Sequence, residues 1–229
     1  MRIISLFLLG ILLISDLEAA NEKIFISGGP SLRVFERHKP APHDRFWGNF
    51  ITSGLARYQE IKGQMGDDTF TWLIHRPGYE RRGREIGHDL IQEIKNMLEP
   101  TSANIIWFHT RDELVKYLNE GNNRSRNKIS HLEYFGHSNR LNWCFDYSNQ
   151  LDGMVQENMC LHIRNLKQIR RGLFTKKAYT KSWGCHSGEA YSEAWYKATG
   201  AKMWGAVGKT SYYTGGVPQL STSAGEWVQ

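Results

Sequence analysis

Short apolar runs of β character and amphipathic runs of helical spacing alternate along this chain. KIFISGG (23–29) reads as a strand ending in a glycine pair. Over 45–61, Trp47, Phe50, Ile51, Leu55 and Tyr58 recur at helical spacing. TFTWLIH (69–75) reads as a strand stopped by the turn signal Arg76-Pro77-Gly78. EIGHDLIQEIKNML (85–98) puts Ile86, Leu90, Ile91, Ile94 and Leu98 on one helix face and ends at Pro100. NIIWFH (104–109) is a further strand, and Thr110 with Glu113 forms a capping-box pattern that opens a short helix with Leu114, Val115 and Leu118. After the polar loop 119–128 comes the strand ISHLEYFG (129–136).

Beyond it, NWCFDYS suits one strand of a small inserted hairpin. The main pattern then resumes. Ile163, Leu166, Ile169 or Arg170, and Leu173 suit a helix; Ala178 to Trp183 alternates as a strand running into Cys185; Ser187 to Ala198 suits a helix; KMWGAVG (202–208) suits a strand. The tail from Tyr212, rich in Gly, Ser and Thr, reads as loop. This order predicts an α/β fold: a mainly parallel sheet flanked by helices on both faces, a three-layer sandwich.

The first twenty residues stand apart. Arg2 precedes an apolar run, Ile3 to Ile14, that is too short to cross a bilayer, and Ala19-Ala20 offers small residues for cleavage. Residues 1–20 are therefore expected to be a signal peptide, 21–229 a single domain, and the location secreted or periplasmic, with no stable membrane association after signal removal. The formal net charge is +6, and losing Arg2, Asp16 and Glu18 makes the remainder more basic. The basic residues are dispersed over YERRGRE (79–85), NNRSRNK (122–128) and RNLKQIRRGLFTKK (164–177), with no recognised nucleic-acid motif, so no nucleic-acid partner is expected.

Three cysteines, Cys144, Cys160 and Cys185, leave at least one thiol outside an intramolecular bridge. Cys144 and Cys160 are close enough in sequence to pair as a disulfide, which would leave Cys185 over. The spacings match neither zinc knuckles nor HExxH, so neither a metal nor a cofactor is expected.

Ligands of open α/β sheets bind beyond the carboxyl ends of the strands. Those ends carry Gly28-Gly29, His75-Arg76, His109, Gly136-His137-Ser138, Gly184-Cys185 and Gly208-Lys209. A thiol nucleophile needs a base or an imidazolium partner. The one histidine after Cys185 is its neighbour His186, which cannot easily turn back onto the thiol and leave room for substrate. The partner must come from upstream, and His137, at the end of the preceding strand, has the right placement. His75 and His109 read as polar strand ends, His131 as a strand position and the tryptophans as core.

HLEYFGHS, followed by AYTKSWGCHSGE with Cys185 48 residues after His137, resembles the His and Cys blocks of the caspase-like cysteine peptidases. That group includes caspases, legumain, gingipains, clostripain and CHAT domains, and the caspase separation is about 50. LFTKKAYTKSWGCHSG resembles its bacterial members, and GAKMWGAVGKT the strand that follows; in element order the likeness spans most of 23–213. Ser138 stands where glycine is usual.

The resemblance implies a caspase-like (flavodoxin-like) sandwich and a secreted thiol protease, a hydrolase cutting protein or peptide substrates. In it Cys185 is the nucleophile, its pKa lowered by the N-terminus of the helix after it. His137 is the general acid and base, and the backbone N–H groups of Ser138 and Cys185 hold the oxyanion. The pocket walls map to Gly29, Trp183, Gly208, Lys209 and Thr210, with the P1 residue and the oligomeric state left open. Two further readings use the same residues: a catalytically inactive caspase-like binding or scaffold domain, and a cysteine hydrolase for a non-peptide acyl or amide substrate. Loops 119–128 and 148–158 are candidate processing sites.

Overall fold

A computed structural model describes residues 21–37, 45–147, 157–212 and 215–229. The expected signal peptide and most of the 148–158 loop lie outside them. In chain order the elements are β1 (Glu22–Ser27), α1 (Arg33–Glu36), α2 (Asn49–Ile61), β2 (Thr69–His75), α3 (Arg76–Ile86), α4 (Leu90–Leu98), β3 (Asn104–Phe108), α5 (Arg111–Glu120) and β4 (Ile129–Phe135). They continue as β5 (His137–Asn139), β6 (Asn142–Cys144), β7 (Cys160–His162), β8 (Phe174–Ser182), α6 (Tyr191–Thr199), β9 (Met203–Val207), β10 (Thr210–Ser211), β11 (Gln219–Leu220) and β12 (Glu226–Val228).

The period-2 alternation of the strands divides the core into two apolar layers. Ile24, Ile26, Leu73, Leu132 and Tyr134 face α5 (Leu114, Val115, Leu118) and α6 (Tyr191, Trp195). Phe25, Trp72, Ile74 and Phe135 face α2 (Phe50, Ile51), α3 (Tyr79) and α4 (Leu90, Ile94, Leu98). The molecule is thus an α/β three-layer sandwich, with a seven-stranded sheet in the order β3-β2-β1-β4-β8-β9-β12. Strand pairs within it are parallel, except that β12 runs antiparallel to β9. The chain steps outward from β1 through β2 to β3, then returns to place β4 on the other flank of β1. That reversal makes the carboxyl ends of β1 and β4 the switch point of the sheet.

Four sequence expectations are corrected. Arg76-Pro77-Gly78 opens α3 rather than a turn, since proline is tolerated in a first helical turn. The apolar stripe over 85–98 belongs to two helices: Gly87, at φ +75°, ends α3, and Asp89 caps α4 by accepting the N–H of Gln92. After β7 the chain forms a six-residue 3-10 turn (Ile163–Gln168) instead of a helix reaching 173. The tail is not all loop, because β12 closes the sheet edge. Thr110 caps α5 as expected, with Glu113 N–H donating to Thr110 Oγ1 at 3.3 Å, while the Glu113 carboxylate accepts the N–H of His109, one residue before the cap, at 2.9 Å.

Candidate active site

β4 and β8 are neighbours and parallel, and their register sets the level of the two residues of interest. From His131↔Tyr179 to Tyr134↔Ser182 the partners are 48 residues apart, the separation of His137 and Cys185. At the start of the pair, Ile129↔Phe174, the offset is smaller; an irregularity in β8 between these pairs supplies the difference. Past the last pair the ladder continues, with Trp183 N–H donating to Tyr134 O at 2.9 Å. Ser138 Oγ then donates to the carbonyl of Cys185 at 2.6 Å. Gly184 permits this approach: a Cβ there would fall on Ser138 Oγ and lie 2.8 Å from Gly136 O. The segments 136–138 and 184–185 are therefore in direct contact at the sheet rim.

His137 begins β5, the first strand of a three-stranded antiparallel sheet, β5-β6-β7, inserted between β4 and β8. Its ring lies edge-on to Phe50 (5.0 Å between centroids) and stacked on Tyr147 (4.6 Å), and is half-buried. The Tyr134 hydroxyl donates to the His137 carbonyl at 2.8 Å and to the Cys144 carbonyl at 3.1 Å, which pins the start of the small sheet to β4. Tyr212 also packs on Phe50, 4.9 Å between centroids, and accepts the Gly136 N–H at 3.1 Å.

The half-buried Cys185 thiol meets Thr210 of β10. Thr210 N–H donates to Sγ at 3.4 Å, and Thr210 O and Oγ1 lie 3.7 and 3.6 Å from it. Thr210 is itself held by Oγ1 donating to Trp183 O at 2.8 Å. Among the described residues, the hydrogen-bond contacts of the sulfur fall on Thr210 and not on His137. The Thr210 N–H donates to the sulfur, whereas the Thr210 carbonyl is an acceptor for the thiol proton. The helix expected to begin at Ser187 begins at Tyr191; residues 185–190 form a turn. Its dipole acts only within the first helical turn, so it is not positioned to act on Cys185.

Glu189, in that turn, is a site feature with no motif to announce it. Its Oε1 lies 2.5 Å from His186 Nδ1 and accepts the Gly208 N–H at 3.3 Å, while Oε2 lies 3.2 Å from Arg140. The bond from His186 holds the Glu189 carboxyl below the usual carboxylate range. Phe50, Tyr147 and Tyr212 were likewise legible only as apolar or loop residues.

Of the mapped pocket walls, Gly208, Lys209 and Thr210 lie on the turn that carries the sulfur's partner; Lys209 is exposed and its N–H donates to Thr222 Oγ1. Gly29 and Trp183 lie inside the fold. Gly29 is buried, its N–H donating to Phe145 O, and a Cβ on it would lie 2.8 Å from Gly78 Cα, so it packs toward α3. Trp183 is also buried. It stacks on Phe135, donates its indole N–H to Glu133 and faces the ammonium of Lys181, because strand alternation turns it into the α2-side layer. A groove of about 330 Å³ lined by Arg45, Phe46, Asn49, Thr52, Tyr212 and Gly215 runs beside the Phe50–Tyr212 pair that flanks His137.

All three cysteines are thiols in the structure. Cys144 and Cys160 are nevertheless direct cross-strand partners in β6 and β7. Among the described residues no cluster of His, Cys, Asp and Glu is arranged to hold a metal ion. Comparison with protein-family models, with curated proteins and with solved structures finds no match.

Proposed function

We propose that this chain is a cysteine hydrolase of the caspase-like kind, a secreted endopeptidase with a His137/Cys185 dyad. The observation that carries the reading is the 48-residue offset between paired β4 and β8, which brings the segments bearing His137 and Cys185 to the same rim. The switch point of the sheet lies at the adjoining β1/β4 edge, where α/β folds bind ligands.

In the reaction, Cys185 attacks a peptide carbonyl as thiolate. The thiol proton passes to His137, the carbonyl oxygen becomes an oxyanion held by the N–H groups of Ser138 and Cys185, and the amine leaves with a proton from His137. Water, deprotonated by His137, then hydrolyses the thioester and restores the thiol. One oxyanion donor is worth about 3 kcal/mol and the imidazole about a hundredfold or more in rate. The thiol rests on Thr210, and the imidazole and sulfur come within hydrogen-bond reach on substrate binding; long catalytic contacts are common in the unliganded state. The groove beside Tyr212 and Phe50 offers an apolar floor, with Arg45 at its edge, for a substrate side chain next to the cleaved bond.

Iodoacetamide on the folded protein tests the nucleophile. Labelling is expected at Cys185 in preference to the buried Cys144 and Cys160, with Cys185→Ala and His137→Ala each abolishing cleavage of a peptide library. An unreactive Cys185 overturns the enzyme reading and favours the scaffold alternative, for which the resting contact of the sulfur with Thr210 speaks. A reactive Cys185 that turns over thioesters or simple amides but not peptides moves the proposal to a non-peptide hydrolase.

A further inference from the structure

We propose that Glu189 is a positioning residue that fixes the Cys185 turn, the Thr210 loop and the His137 hairpin relative to one another. The inference rests on the reading of Cys185 as nucleophile. One carboxylate reaches all three segments. His186, on Oε1, is the residue after Cys185. Gly208, donating to the same oxygen, lies two residues before Thr210, whose N–H is the donor to the sulfur. Arg140, on Oε2, sits in the two-residue turn joining β5, which carries His137, to β6.

The backbone supports the same junction. His186 N–H donates to Gly208 O at 2.7 Å, and Gly188 N–H to Ala206 O at 2.9 Å. His186 itself is held at φ +58°, a left-handed conformation unfavourable for a non-glycine residue. The imidazole–carboxylate contact helps hold that conformation in the turn that follows Cys185. The titratable and charged groups at the junction are His186 and Glu189 from the turn, Arg140 from the hairpin and the exposed Lys209 beside Gly208.

The consequence falls on the thiol. With Glu189 in place, Thr210 N–H and Thr210 O stay on the sulfur; without it the Gly208–Thr210 segment loosens and both contacts are lost. Glu189→Gln removes the charge but keeps the acceptor, so a difference between the alanine and glutamine variants reads positioning and not charge.

The test is the pH profile of Cys185 carboxymethylation by iodoacetamide in the full chain, read by peptide mass mapping. Glu189→Ala is expected to shift the midpoint by about one unit. Glu189→Gln, which keeps an acceptor for Gly208 N–H, is expected to recover part of that shift and covers the case in which the alanine variant misfolds. Glu193→Gln, at an exposed ion pair on α6, is the control and should leave the profile unchanged. A profile identical to wild type in folded Glu189→Ala or Glu189→Gln protein, or equal shifts in the two, overturns the proposal. A wild-type Cys185 that resists alkylation overturns instead the nucleophile reading beneath it.

Discussion

His75 closes β2 with its imidazole wholly buried, 5.3 Å from the Phe108 ring and 6.0 Å from the Phe145 ring. Nε2 lies 3.3 Å from His109 O, and Nδ1 has no hydrogen-bond partner among the described residues. Burial drives its pKa down to about 3, with Arg81 and His109 adding to the effect against the pull of the His109 carbonyl. The ring is thus neutral in the fold where an unfolded chain, at about 6.5, already binds a proton. Stability is therefore fully present above pH 6.5 and is lost as pH falls toward 3, by up to roughly 5 kcal/mol from this residue. His75→Leu should flatten that dependence and move the acid-unfolding midpoint, followed by tryptophan fluorescence, to lower pH; an unmoved midpoint would contradict the assignment. At this same scale the polar strand end expected from sequence is a buried neutral base, because only packing reveals which strand ends are covered.

The small sheet that carries His137 also sets the relation of the other two cysteines. Phe145 N–H donates to Met159 O and Ile163 N–H to Leu141 O, so those opposed pairs are the hydrogen-bonded ones. Alternation makes Cys144/Cys160 a non-hydrogen-bonded pair, in which side chains approach most closely, with Cα atoms about 4.5 Å apart, inside the reach of a disulfide. Burial pushes the Cys144 thiol up to about 12, so little thiolate forms once the fold is complete. Oxidation then belongs to the folding chain, by exchange with a donor disulfide that takes up the two electrons and two protons. In protein exported to an oxidising compartment, peptide mapping after alkylation without reduction should find the two linked, and the bridge should add about 3 kcal/mol for a loop of this length. Finding both alkylated there would rule the bridge out. Since Cys144 is also the cross-strand partner of His137, the bridge would brace the strand beside the imidazole. The sequence predicted the pair by proximity alone; the register that makes it feasible comes from strand pairing.

Across the whole molecule, the sheet and its helical layer are joined by a buried charge. Glu133, in the middle of β4 and fully buried, accepts from Arg57 of α2 at 2.8 Å, from His131 at 2.5 Å and from the Trp183 indole at 2.5 Å. Burial disfavours the carboxylate, but His131 and Arg57 outweigh it and hold its pKa below the ordinary value. Arg57→Ala leaves that charge without its arginine partner and should cost up to about 3–5 kcal/mol, read as a fall in thermal midpoint; adding Glu133→Gln should recover part of the loss. A midpoint within a degree or so of wild type would mean that the layers are not coupled through this pair. The order of strands and helices, the two apolar faces, the cap at Thr110 and the candidate pair His137 and Cys185 were all written in local patterns, because periodicity and caps depend on neighbours a few residues away. The break at Gly87, the closing strand β12, the burial of Gly29 and Trp183, the sulfur's contact with Thr210 and the junction at Glu189 were settled by the fold. Each depends on contacts between segments distant in sequence, and above all on the irregularity in β8 that shifts its register against β4 and brings Cys185 level with the segment beginning at His137.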